Sequence, residues 1–555
     1  MTLPLSSGKI IKSALFLLFL LVFQFNSLSA QGLKAGPQVL TFHSSVDDTE
    51  QPYGLYLPKN YDANKKYPFV VMLHGAGSNH RLSLRRVFGK SNAEGETDVE
   101  ASRYFPNWED RDYIVASPFA RGTMGYVGIP EKDVMDVVAD VKARFSIDED
   151  RTYLTGLSMG GGGTLWLGLS YPDMWAAIAP VCPAPPAGAK ELTGNALNVP
   201  VHIFQGGDDP VVKPEGVRQW VENLKAAGAM VEYKEYPGVK HDSWVNAYEN
   251  EFIFDWFDQF QRVNHPNKVQ LSTQRYAASK AYWAQIQQFT PGTTAKLIAE
   301  FKGLNQLEIS TENIQTLSLN LAGHAKFKAD LPVTITINGK KVSHSGGAEI
   351  TLSKEAGSWT TGPVKFPKLF KRSGSEGPMS AVVADRHIYV YGTSGNPTPE
   401  ELEARRKEAE KAANWSFYRG EFLGRIMVFP RVLSDMELRD SDYESSNLIL
   451  FGDEKTNRAI AKIADQLPMK LTWSPEEYGL AFIYPLGDNY VLINSGLSIL
   501  DAPDSDKTIS GLSRLTSPGI LGALRKFDDY VIFTKDKIIS SGYFSNDWKL
   551  EKSDK

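Results

Sequence analysis

One serine, one histidine and a pair of aspartates sit in settings that suit nucleophilic catalysis. Ser158 lies at the centre of Gly156-Leu157-Ser158-Met159-Gly160. A nucleophile on a strand-to-helix elbow needs small residues two places away on either side, because the chain turns sharply there. Thr152 to Thr155 can supply the strand, and a helix can begin at Met159, turning its first amides toward developing negative charge. A serine hydroxyl reacts poorly until a base takes its proton. His241 is the candidate base among nine histidines, because it follows the alternating strand Val231 to Tyr236 and the turn Pro237-Gly238. The acid that orients it should end the preceding strand, Val201 to Phe204, which leads into Gln205-Gly206-Gly207-Asp208-Asp209-Pro210. We take Asp209 as the acid and its neighbour Asp208 as a turn former. A second oxyanion donor would come from His74-Gly75-Ala76-Gly77, directly after the apolar run Tyr67 to Leu73. The expected pair of donors is the backbone amides of Ala76 and Met159, with His74 holding the loop. Trp244 and Trp108 are candidates for stacking on a sugar or aromatic acyl group, the alternative being core or rim packing.

These residues need a scaffold, and the segment from Pro37 to Arg262 alternates strand and helix signals. Tyr67 to Leu73 is continuously apolar, as a strand covered on both faces requires. Ile114 to Pro118, Ala176 to Val181 and Val201 to Phe204 are similar. Between them, Pro130 to Phe145 places Val134, Val137, Val138, Val141 and Phe145 on one helical face. Buried strands alternating with amphipathic helices predict an α/β fold with a mainly parallel sheet.

Beyond Arg262 the pattern changes. Val333, Ile335 and Ile337 alternate with threonines before Asn338-Gly339, a two-residue hairpin signal. A β-rich domain is predicted over 263–345, and a mixed α/β accessory domain over 346–555. In the latter, Thr398 should cap a charged helix to Ala413 carrying the pairs Glu401/Arg405 and Glu403/Lys407.

The first thirty residues have the form of a secretory signal. Lys9 and Lys12 precede the ten-residue apolar run Ala14 to Phe23, and Ser27-Leu28-Ser29-Ala30 suits cleavage before Gln31. The alternative is an uncleaved anchor. A secreted or periplasmic protein is expected, with no membrane span after cleavage. The single cysteine, Cys182, permits no intrachain disulfide and is expected to be a buried structural thiol. The net charge of −5, with no basic runs, gives no sign of a nucleic-acid partner. No motif calls for a metal or other cofactor.

Residues 37–262, and so the 36–262 catalytic domain, resemble the secreted esterase branch of the α/β-hydrolase superfamily. That branch holds feruloyl and acetyl xylan esterases and polyhydroxybutyrate depolymerases, and it is related to the catalytic domain of prolyl oligopeptidases. The matching pieces are Leu73 to Gly77, Asp148 to Arg151, Gly156 to Gly161, Gly206 to Pro210 and Pro237 to Trp244. The resemblance implies a Ser158-His241-Asp209 acyl-enzyme mechanism on carboxylic esters and is not specific to substrate; an open site would suit acyl groups carried on a polysaccharide. Gln205 departs from the pattern, where such enzymes often carry histidine, and no catalytic consequence is expected. The gap from Cys182 to Pro200 leaves little room for a lid, and the insertion Ser78 to Asp112 should border the cleft. Two other readings stand beside this one: a prolyl oligopeptidase-like serine peptidase, and a non-catalytic protein that binds carbohydrate or a cell surface.

Overall fold

The computed structural model describes residues 33–415, 417–418, 425–505, 507 and 517–550. The signal sequence expected over 1–30 lies outside them. No helix among the described residues is long and apolar enough to cross a membrane.

The first part of the chain builds an eight-stranded sheet in the order β1-β2-β4-β3-β5-β6-β7-β8. The strands are β1 Gly36–Ser44, β2 Thr49–Leu57, β3 Tyr67–Leu73, β4 Ile114–Pro118, β5 Ile147–Leu157, β6 Ala177–Val181, β7 Val201–Gly206 and β8 Val231–Tyr236. β1, β2 and β4 pair antiparallel, and all pairs from β4 through β8 are parallel. Alternate residues of β3 serve opposite cores. Phe69, Val71 and Leu73 pack with Val134, Val137, Val141 and Leu165, while Val70 and Met72 pack with Leu84, Val87, Phe254 and Phe257. The uninterrupted apolar run is thus the signature of a strand covered on both faces. This is the α/β-hydrolase fold expected from the sequence. β5 begins at Ile147, earlier than the short Thr152 to Thr155 run suggested.

Strands from Lys268–Thr273 to Ser358–Thr361 then form two five-stranded sheets whose inner faces share one core. The expected boundary at 345 is therefore too early. Glu349–Glu355 pairs with Ile314–Asn320 in the middle of a sheet, and Ser358–Thr361 forms its edge. Just past that boundary, the Gly347 amide donates to Ala329 O inside the same unit. Asn338 and Gly339 both adopt positive φ, as their hairpin requires.

The C-terminal region carries a seven-stranded sheet. From one edge inward, Arg431–Ser434, His387–Tyr391, Asn447–Phe451 and Asn489–Gly496 lie parallel, in that spatial order. The helix Pro399–Ala412 begins with a Thr398/Glu401 capping box. Lys407 pairs with Glu403, but Arg405 donates to Gly392 O and Ser394 O and not to Glu401. The three parts meet around Arg275, which lies over the Trp166 ring and binds both carboxylate oxygens of Glu131 at 3.0 Å. Glu376, beside it, accepts the amides of Tyr276 and Ala277.

Candidate active site

β5 ends at Leu157, and the helix Met159–Ser170 starts one residue later. Ser158, the residue between them, has φ 55° and ψ −116°, a costly conformation outside glycine that tertiary contacts must enforce. The glycines explain how the chain passes. A Cβ on Gly156 would lie 2.5 Å from Gly160 O, and one on Gly160 would lie 2.2 Å from Leu73 O. Gly161 and Gly162 press equally closely on the carbonyls of Val181 and Ala184. The helix is thus drawn against the ends of β3 and β6 with no side chain between.

β3 pairs Leu73 with Gly156, so the loop that follows β3 emerges beside the elbow. A Cβ on Gly75 would lie 3.5 Å from that of Ser158. Among the described residues the amides of Ala76 and Met159 have no acceptor within the protein. They remain available as donors, as an oxyanion site requires. His74 is fully buried, its ring nitrogens 2.8 Å from Gly75 O and Phe119 O. Burial lowers its pKa from the ordinary value, so the ring is neutral and can donate to one of these carbonyls.

The residues expected as acid and base, Asp209 and His241, lie in the loops after β7 and β8. Gly207 N donates to Tyr236 O and Asp208 N to Val239 O, binding the loop after β7 to the loop after β8. A Cβ on Gly206 would lie 2.2 Å from Lys240 O. This close approach sets His241 Nδ1 2.7 Å from Asp209 Oδ2, with Nε2 2.9 Å from Ser158 Oγ. Asp209 is buried and Asp208 is exposed, which settles which of the two faces the ring. The other oxygen of Asp209 accepts the amides of Val211 and Val212 at 2.8 and 2.9 Å. In the tautomer protonated at Nδ1, His241 donates to Asp209 and accepts from the serine hydroxyl, the polarity needed for proton removal.

Sequence reasoning missed the support around this chain. Gln205 is fully buried and its Nε2 reaches Asp209 Oδ2 at 3.3 Å while donating to Val212 O at 2.9 Å. The departure at Gln205 thus falls on a residue that touches Asp209. A glutamine five places before Pro210 carries no motif, so only its contacts give it meaning. Trp244 stands edge-on to the His241 ring, with centroids 5.7 Å apart. Trp108 does not join the site. It stacks on Phe88 at 4.9 Å and 9°, and meets Tyr56 and Phe105, so its ring is engaged in packing the 78–112 insertion. The 182–200 segment contains the 3₁₀ helix Ala189–Asn198, which docks the β sandwich: Asn195 Nδ2 donates to Ser272 O and Asn198 Nδ2 to Lys268 O.

Cys182 Sγ, Asp209 and His241 place ligand-type atoms within 4.8 Å of one another. The set fits a metal poorly. Burial pushes the Cys182 thiol up to about 12, while a metal ligand must be thiolate, and Asp209 and His241 bond each other.

The profile of the Esterase family matches residues 44–254. Residues 44–254 are an α/β-hydrolase esterase. The chain is 26% identical over 219 residues to "Carboxylesterase SOBER1" of Arabidopsis thaliana, covering 37% of this chain and 95% of that protein. It is 26% identical over 228 residues to "Endo-1,4-beta-xylanase/feruloyl esterase" of Xylanibacter ruminicola, covering 38% of this chain and 30% of that one. Among solved structures, a thermostable esterase aligns with a TM-score of 0.34 and 28% identity, covering 41% of this chain and 63% of its own. A ferulic acid esterase aligns with a TM-score of 0.33 and 19% identity, covering 41% and 98%. The esterase portion ends before the β sandwich begins, so the sandwich and the C-terminal region lie outside this likeness.

Proposed function

We propose that the protein is a secreted serine esterase that removes acyl groups from a polysaccharide, with Ser158 as nucleophile, His241 as general base and acid, and Asp209 as the group that orients the imidazole. The observation that carries this reading is the unbroken line of hydrogen bonds from Asp209 through His241 to Ser158 on a strained elbow. Ser158 Oγ attacks the ester carbonyl as His241 Nε2 takes its proton. The carbonyl oxygen becomes an oxyanion facing the amides of Ala76 and Met159. The tetrahedral intermediate collapses, His241 returns the proton to the alkoxide, and the alcohol leaves. Water then attacks the acyl-enzyme by the same steps. Asp209 orients the ring and stabilises the imidazolium.

A site that must reach acyl groups along a polymer needs an open mouth. The 182–200 segment, which could have formed a lid, is committed to the sandwich. Trp244, beside the base, is placed to border the acyl group. A relative described as a xylanase and feruloyl esterase agrees with this substrate class.

The test uses purified full-length protein on p-nitrophenyl acetate, methyl ferulate, acetylated xylan and a prolyl p-nitroanilide. Turnover of the esters is expected, with Ser158→Ala lowering kcat by about 10⁴-fold or more. Amide turnover exceeding ester turnover, or an active Ser158→Ala protein, would refute the assignment.

A further inference from the structure

We infer that the C-terminal region is a working part of the esterase site: it clamps residues 119–126, and these hold the loop that carries Ala76. The inference rests on the oxyanion role proposed for Ala76.

The inner half of the linkage lies within the hydrolase fold. Phe119 O faces His74 Nε2 at 2.8 Å, Thr123 Oγ1 accepts the Gly77 amide at 2.9 Å, and Tyr126 OH donates to His74 O at 2.9 Å. The oxyanion-side loop is thus tied to 119–126 at both of its ends. The tying segment is itself strained. Ala120, Arg121 and Gly122 follow one another with φ of 46°, 63° and 78°. Non-glycine residues hold such conformations only where their surroundings enforce them.

The outer half supplies that enforcement. The Arg121 side chain is fully buried. Its Nε donates to Asp133 at 2.7 Å, Nη2 to Ser44 Oγ at 2.6 Å, and Nη1 to Asp47 at 2.7 Å and to Met427 O at 3.2 Å. Met427 belongs to the C-terminal region. Two residues on, the Phe429 amide donates to the same Asp47 oxygen at 3.0 Å. Ile426 forms an antiparallel bridge with Gly122. Val46, Met124 and Ile129 of the hydrolase fold pack within the core built by Ile388, Val390 and Leu448. A buried guanidinium held by two carboxylates tolerates the loss of one partner badly, because the remaining charges stay out of water. The cage therefore transmits the position of 426–429 to the oxyanion loop.

Phe429→Pro tests this in the full chain. It removes one backbone donor from a residue whose side chain is 54% exposed. Asp47→Asn weakens the same cage from the other side. Arg386→Ala is the control, since Arg386 binds Asp48 and Ser45 O at the same junction without touching 119–126. The readouts are kcat and KM on p-nitrophenyl acetate and inhibition by a boronic acid, whose tetrahedral adduct on Ser158 would direct an oxygen at Ala76 and Met159. For Phe429→Pro and Asp47→Asn, kcat is expected to fall about 10-fold with KM nearly constant, and boronate affinity to fall by a similar factor. Arg386→Ala is expected to leave both unchanged. If Phe429→Pro fails to fold, Asp47→Asn alone decides. Full turnover and full boronate affinity in the folded variants, with Ser158→Ala inactive, would overturn the clamp and leave the esterase reading intact. An active Ser158→Ala protein would overturn that reading and the clamp with it.

Discussion

Two buried aspartates in this chain follow strands of two different mixed sheets, and only one of them faces an imidazole. Asp209 follows β7, and Asp435 follows Arg431–Ser434 of the C-terminal sheet. Both are buried and both accept backbone amides. Asp435 takes Thr393 N and Oγ1 on one oxygen and Arg458 N on the other. Its surroundings close over it, since a Cβ on Gly392 would lie 2.1 Å from Thr456 O. Asp209 gives one oxygen to two amides and turns the other toward His241. Backbone donors hold both carboxylates, and the difference between them is a single partner. A carboxylate surrounded by backbone donors fixes a loop, whereas one that keeps an oxygen for an imidazole can direct a proton.

Substitution at the two positions tests that contrast. Asp209→Asn should lower kcat by about 10³ to 10⁴-fold, because the amide favours the wrong tautomer of His241. Its thermal midpoint should stay close to that of the parent. Asp435→Ala should reverse the pattern, with turnover on p-nitrophenyl acetate nearly kept and stability reduced by about 1 to 3 kcal/mol, since three donors lose their acceptor. Equal activity losses in both proteins would erase the distinction. Gln205→Leu sharpens it by removing a donor behind Asp209 while leaving the amides of Val211 and Val212. A loss of about 3 to 10-fold in kcat is expected, with the acidic arm of the pH-rate profile, where the base must lose its proton, shifted. An unchanged profile would make Gln205 a packing residue only.

The smallest expected effect lies far from the site. Burial pushes Glu376 up to about 7 despite nearby Arg275 and two backbone donors. Its folded-state pKa is thus above the ordinary 4.5, so the native protein binds a proton that the unfolded chain releases. Stability should fall as pH rises from 4.5 to 7. Glu376→Gln should flatten that slope and change the thermal midpoint at pH 8 by a few degrees. Parallel pH-stability curves for the two proteins would rule this out.

What could be read from the sequence was local. The elbow needs small residues at fixed offsets, and a buried strand needs an unbroken apolar run, so Ser158, His241, Asp209 and β3 were all visible. Asp209 could be preferred over Asp208 because the spacing Gly206-x-x-Asp209-Pro-x-Val matches the usual loop of such enzymes. The parts that escaped depend on distant partners. Gln205 has meaning only through Asp209 and Val212, and Arg121 only through Asp47, Asp133 and Met427. The boundary expected at 345 came too early because the pairing of Glu349–Glu355 with Ile314–Asn320 is a distant contact. Trp108 could have been a platform or a core residue, and its stacking on Phe88 was not visible from spacing.

The helix behind the nucleophile begins Met159-Gly160-Gly161-Gly162-Gly163. Four successive glycines disfavour helix by about 3 to 4 kcal/mol relative to alanine. This turn of helix therefore has no standing of its own and takes shape only when the strands around it are already assembled. A partly opened molecule would lose the bend at residue 158 before losing most of its sheet, leaving an ordinary, unreactive hydroxyl. The bend at Ser158 is in this way a property of the finished fold.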